Sequence, residues 1–132
     1  MRTFHHVIAG HEQASRSGRS IDVYDPAKCQ PYAQVAAGDA ADAADAVAAA
    51  QSAFPAWSAL PHSERARWIE RLADALEARL DDFAHDEALD GGKPFALARD
   101  IEIPRAVANL RFFAHAATQF ARQGRNKLQT LG

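Results

Sequence analysis

Residues 89–105 read LDGGKPFALARDIEIPR, and this stretch decides how the chain folds. Gly91 and Gly92 end a helix at little cost, because glycine enters the left-handed region that other residues avoid. Pro94 then forbids continuation, since it has no N–H to give to the preceding turn. The chain must reverse here between two helical patterns. Lys93 lacks the glycine-rich loop that a phosphate-binding lysine needs in front of it, so it reads as a turn residue.

Upstream of the turn, Ile69, Leu72, Leu76, Leu80 and Phe83 recur every three or four positions, with Arg65, Arg67, Glu70, Asp74, Glu77 and Arg79 largely on the other side. That spacing predicts one amphipathic helix from Pro61–Glu64 to about Leu89. Downstream, Pro94 to Asp100 forms a short helix or helical turn, and Pro104 suits the first turn of another. Ile103, Val107, Leu110, Phe113, Ala117 and Phe120 carry that last helix to Arg122. Residues 123–132 show no periodicity and read as a frayed or disordered tail. Earlier, Asp39 is placed to N-cap a helix whose Val47, Ala50, Phe54 and Trp57 share a face. Pro55 predicts a break or kink between Phe54 and Leu60.

The first 37 residues read as strands. Phe4 to Ala9 and the residues after Gly10 suit a hairpin. Ile21 to Asp25, a turn at Asp25-Pro26, and Tyr32 to Ala36 suit a second pair. The expected fold is therefore α+β, with hairpins in strands 4–37 followed by three to four helices in 39–122. Strands and crossover helices do not alternate, which excludes a doubly wound sheet and its nucleotide crevice. No G-x-G-x-x-G follows a strand.

With 132 residues, 48% of them apolar, the chain suits one small domain, but much of that apolar fraction is alanine, which buries little area. A net charge of -2 points to no nucleic-acid partner and no anionic membrane surface. No apolar run approaches a membrane-spanning length. Cys29 is the sole cysteine, so no internal disulfide forms and the cytoplasm is the expected compartment. His5, His6 and His11 have the chemistry of metal ligands, yet His5 and His6 face opposite ways on a strand and no further ligand joins them, so they read as solvated. Trp57, Trp68, Phe112 and Phe113 read as core aromatics, Glu64 and Glu87 as helix-start and surface charges, and no carboxylate pair is spaced for acid–base work.

Four blocks together resemble the aldehyde dehydrogenase superfamily, in its N-terminal portion. IDVYDPAKCQPYAQVAAGDAADAADAV is similar to its strand, Asn-Pro turn, strand and Gly-Asp helix start. AAAQSAFPAWSALPHSERARWIERLADALEARLDDFA resembles its two-helix block with Phe-x-x-Trp, here Phe54 and Trp57. EALDGGKPFALARDIEIPRAVANLRFFAHAA resembles its Leu-Asp-Thr-Gly-Lys-Pro turn and aromatic helix, and HVIAGHEQAS its opening hairpin. The likeness runs from Val7 to Phe120, and PFALARDIEIPRAVANLRFFA most resembles members acting on muconic semialdehyde-type substrates, such as the 2-hydroxymuconic semialdehyde dehydrogenase group. Asp25 stands where the family has Asn, Gly91 where it has Thr, and Cys29 where it usually has glycine.

The resemblance implies an NAD- or NADP-dependent oxidation of an aldehyde to an acid by a cysteine thiolate, with a glutamate-activated water and an asparagine that steadies the oxyanion. These groups and the nucleotide site are expected beyond this segment, leaving residues 1–122 a fragment without catalytic or cofactor-binding residues, inactive alone and with no cofactor bound. Loss of likeness after Arg122 suggests a truncated or frameshifted gene, with a short paralogue as the other reading. The resemblance also implies a monovalent cation held by the backbone oxygens of Val23 and Tyr24 and the carboxylate of Asp90. The competing reading makes Asp90 an acceptor for nearby turn amides. Two roles follow: a dehydrogenase scaffold with uncovered helix faces that self-associates, or an interaction module that binds another subunit or the remainder of a dehydrogenase.

Overall fold

A computed structural model gives the architecture; it describes residues 1–129, with side chains through Phe120. The chain divides into two units, Met1–Ser58 with Leu89–Gly92, and Ala59–Ala88 with Lys93 onward.

In the first unit, β2 (His6–Ile8) and β3 (His11–Gln13) form the expected hairpin. Its two-residue loop puts Ala9 (φ 52) and Gly10 (φ 82) in the left-handed region, the twist that a tight hairpin requires. The second expected pair is β4 (Ser20–Asp25) and β5 (Gln30–Ala36), antiparallel, with a register shift between Val23 and Tyr24. Asp25 makes the Asx turn between them: its Oδ1 accepts the Ala27 N–H at 2.9 Å, and its carbonyl accepts the Cys29 N–H at 2.7 Å. One pairing lay outside the sequence reading. The run expected from Phe4 to Ala9 divides at His5, and β1 (Arg2–Phe4) joins β5 in parallel, giving the sheet order β1-β5-β4. A three-residue strand is too short to show a period, and its partner is remote in sequence.

Helix α1 (Ala40–Ala59) begins at the expected cap, where Asp39 Oδ1 accepts the N–H groups of Ala41 (2.8 Å) and Asp42 (3.2 Å). Pro55 does not break it. The helix continues past it to Ala59 and stops there, at the far end of the interval between Phe54 and Leu60 where the interruption was expected. Proline deletes one hydrogen bond, and the alanine-rich flanks are strong enough helix formers to remain helical around it.

The second unit holds α2 (His62–Glu77), most of α3 (Leu80–Gly91), the single turn α4 (Phe95–Leu97), a π-helical turn at Ala98–Glu102, and α5 (Ile103–Gln129). The single helix expected up to Leu89 is two, parted at Ala78 and Arg79. No glycine or proline marks that break. Packing marks it instead: Leu76 before it and Leu80 after it both lie against the cluster of Ala84, Ala98 and Ile103, with Phe95. Pro104 lies in the first turn of α5, as expected, although that helix does not start from a free end. The π turn, in which the Ile103 N–H reaches back to the Ala98 carbonyl, runs straight into α5. Helix α5 also passes Arg122 and reaches Gln129 in the tail expected to be frayed or disordered; 130–132 lie outside the described residues. That segment, RQGRNKLQ, is rich in strong helix formers, which need no apolar period to stay helical.

The core is as thin as the alanine content implied. Buried apolar residues are Ala33, Ala66, Ala73, Ala84, Ala98, Ile103, Val107 and Ala114, and no large side chain among those described is completely buried. The aromatics read as core are not: Trp57 is 39% exposed, Trp68 50%, Phe112 65% and Phe113 66%. Their helical spacing does define faces, but this chain leaves those faces uncovered. Arg111 ties α5 to α2, donating to Asp74 at 2.8 Å and to Glu77 at 2.7 Å, and it holds the Glu77 carboxyl below the usual range. Among the described residues no helix is long and apolar enough to cross a membrane.

Candidate functional site

Helix α3 ends in the turn that the sequence singled out. Gly91 is its last residue, and Gly92 takes φ +63. A Cβ on Gly92 would stand 2.7 Å from Pro26 Cγ, so the α3 terminus lies directly on the Asp25-Pro26 turn. One residue earlier, Asp90 Oδ1 accepts the Tyr32 hydroxyl at 2.9 Å. The structure thus fastens Asp90 to β5, and Pro31, next to Tyr32, pairs with Tyr24 where the ladder shifts register.

The expected cation ligands therefore sit as follows. Val23 and Tyr24 flank the register shift on β4, a place where proline supplies no N–H and the ladder is irregular. Asp90 is exposed and already has a protein donor in Tyr32, a hydroxyl rather than the turn amide of the competing reading. An all-oxygen donor set of two carbonyls and one carboxylate suits a hard cation. Tyr32 was the residue that sequence reasoning missed here, because nothing local links it to a position 58 residues on.

Cys29 is exposed and adopts φ 55, a conformation that glycine enters freely, which explains the glycine usual at this place in the resemblance. Its Sγ donates to the Pro26 carbonyl at 3.9 Å, so the residue belongs to the strand turn. Lys93 behaves as a turn residue as well, donating to Glu87 at 2.6 Å and Glu102 at 2.9 Å. Those two carboxylates, Glu87 first, raise its ammonium above the ordinary lysine range. His5 and His11 are exposed as expected, but His6 is not a solvated histidine: its Nε2 is buried. No cluster of three His, Cys, Asp or Glu side chains suited to a metal occurs among the described residues.

Among the described residues the head of α1 is the one place where a strand feeds a long helix. Two carboxylates close it: Asp39 caps the first amides, and the buried Asp42 accepts the Asp39 N–H at 3.0 Å and the Arg16 N–H at 2.9 Å. The Arg16 bond, then the Asp39 bond, hold the Asp42 carboxyl below the usual range. A dinucleotide pyrophosphate needs free amides there and no negative charge, so these residues do not fit one. The D-x-x-D spacing of Asp39 and Asp42 was the available signal for this reciprocal cap.

In the second unit, α2 and α5 enclose an apolar groove of about 680 Å³, lined among others by Ala66, Ile69, Leu110, Phe113, Ala114 and Ala117.

A model of the Aldehyde dehydrogenase family matches residues 13–130. The chain belongs to the aldehyde dehydrogenase family. The match passes Arg122, where the sequence reading ended the likeness. Over 97 residues the chain is 44% identical to 2-aminomuconic semialdehyde dehydrogenase of Homo sapiens, covering 74% of this chain and 20% of that protein. Over 115 residues it is 41% identical to 2-hydroxymuconic semialdehyde dehydrogenase of Pseudomonas sp. (strain CF600), covering 86% and 24%. The crystal structure of PnpE from Pseudomonas sp. WBC-3 superposes with a TM-score of 0.85 at 38% identity, covering 90% of this chain and 24% of PnpE. PnpE has also been crystallised in complex with nicotinamide adenine dinucleotide. The chain thus spans about a fifth to a quarter of the length of the curated relatives it matches, and it has the N-terminal α+β portion of the aldehyde dehydrogenase fold.

Proposed function

We propose that this chain is the N-terminal scaffold of an NAD(P)-dependent dehydrogenase that oxidises muconic semialdehyde-type substrates when complete, and that it performs no turnover alone. The carrying observation is the 41–44% identity to muconic semialdehyde dehydrogenases over most of this chain but under a quarter of theirs. Hydride acceptance belongs to the nicotinamide dinucleotide of the complete enzyme. This chain's own residues support rather than react: Cys29 serves a turn, Asp39 and Asp42 cap α1, and Asp90 with Gly92 seats the end of α3 against Tyr32 and Pro26. The test is an assay of nicotinamide reduction by the purified 132-residue chain with a muconic-type semialdehyde, beside a titration with NAD. No reduction and no saturable binding are expected; turnover free of full-size enzyme would overturn the proposal.

The uncovered α2–α5 face favours a second role, binding another subunit or the remainder of a dehydrogenase, with self-association when none is supplied. Mixing the chain with the separately produced C-terminal part of a relative tests it: a stable complex is the expected result, and the absence of one would overturn this role. We further propose that Val23, Tyr24 and Asp90 hold a monovalent cation in the assembled enzyme. A potassium-dependent rise in melting temperature, lost in Asp90→Asn, is the expected result. We place the protein in the cytoplasm, where a sole exposed thiol such as Cys29 stays reduced.

A further inference from the structure

We propose that His6 is a proton-operated clasp between the β2–β3 hairpin and the head of α1. Its Nε2 is buried without a hydrogen-bond partner and lies 3.9 Å from Asp42 Oδ2, beyond hydrogen-bonding reach. An unpartnered buried nitrogen is costly, and this carboxylate is a group able to relieve it. Gly38 permits the approach, since a Cβ there would meet the ring's Cε1 at 3.1 Å. Asp39 and Asp42 face it from the α1 head, the Arg16 guanidinium is held by Asp45 at 2.6 and 2.7 Å, and the residue paired with His6 on β3 is the uncharged Gln13. With a second proton the ring turns Nε2–H toward Asp42 as a charged donor, and a movement of about an ångström closes a charge-assisted bond. Neutral, it offers Asp42 at most an uncharged and weaker donor. Asp42 stays ionised throughout, because the Arg16 and Asp39 N–H groups favour its charged form. The hairpin's attachment therefore strengthens when the ring takes up its second proton and weakens when it gives it up.

Hydrogen exchange of the Arg16 amide, which donates to Asp42, reads the clasp directly in the 132-residue chain. Its protection factor should rise about three- to tenfold from pH 8 to pH 5.5, and His6→Gln should abolish the change while leaving both backbone bonds to Asp42. A wild-type amide whose protection does not change with pH, or is absent at both values, overturns the proposal, as does a His6→Gln chain that keeps the change. Should His6→Gln fail to fold, the nitrogen-15 spectrum of the wild-type rings decides. A slowly exchanging His6 Nε2–H with a carboxylate-bonded shift at pH 5.5 supports the clasp, and a solvent-like ring refutes it.

Discussion

Gly92 and Pro26 approach so closely that a single added carbon would fall 2.7 Å from the proline ring. Residues far apart in sequence thereby share one point, and the glycine is required twice, for its φ of +63 and for the missing side chain. Gly92→Ala should cost at least about 2 kcal/mol, from left-handed strain plus displacement of the turn. Urea denaturation checks it. Gly91→Ala is the control: Gly91 ends α3 without a left-handed φ, so its replacement should be neutral or slightly stabilising.

Cys29 presents the opposite case, a side chain where glycine fits better. Cys29→Gly should stabilise the chain by up to about 1 kcal/mol by relieving the left-handed conformation, and it should not change the turnover of an enzyme reconstituted with a relative's C-terminal part. A large loss of turnover would show that the thiol takes part in the chemistry.

Asp42 sets an acid limit. Its carboxyl titrates below the unfolded value, so its contribution is fully present above that value and is lost as pH falls through the lower, folded one. Melting temperatures should therefore drop below about pH 4, and Asp42→Asn should lower the plateau near neutrality while flattening that drop. A series of melts across pH 3 to 7 measures both.

Ile103 is the largest member of the cluster formed with Ala84 and Ala98. Truncation to alanine should cost about 2–4 kcal/mol, since its small neighbours cannot fill the space. Ile103→Val should cost about 1 kcal/mol, and chemical denaturation of the pair gives the ratio.

Phe113 lines the α2–α5 groove yet is 66% exposed. Phe113→Ser should change the chain's own stability by no more than about 0.5 kcal/mol, while reducing self-association in sedimentation velocity and weakening capture of a complementary C-terminal part. Loss of stability without any change in association would contradict the docking role.

Local chemistry made several features legible in advance. The Ala9-Gly10 hairpin, the Asx turn at Asp25, the Asp39 cap and the glycine stop at Gly92 all follow from residues within a few positions of one another. What escaped depended on distance. The parallel seat of β1 beside β5, the parting of α2 from α3 at Ala78, and the bond from Tyr32 to Asp90 arise from packing between remote residues and leave no periodic trace. Pro55 announced a helix end within a few residues but not its position, because one missing hydrogen bond weighs less than an alanine-rich helix. The aromatics misled because spacing shows that a face is apolar, not that this chain covers it.

The π turn at Ala98–Glu102 makes the chain intolerant of a lost codon. Widening one turn absorbs an additional residue, and each residue advances a helix by about 100°. Deleting one position there would let the turn relax to ordinary α-helix while swinging everything beyond it. Val107 and Ala114 would turn outward and polar neighbours would take their place, so an in-frame deletion at this turn would do more damage than most substitutions inside the core.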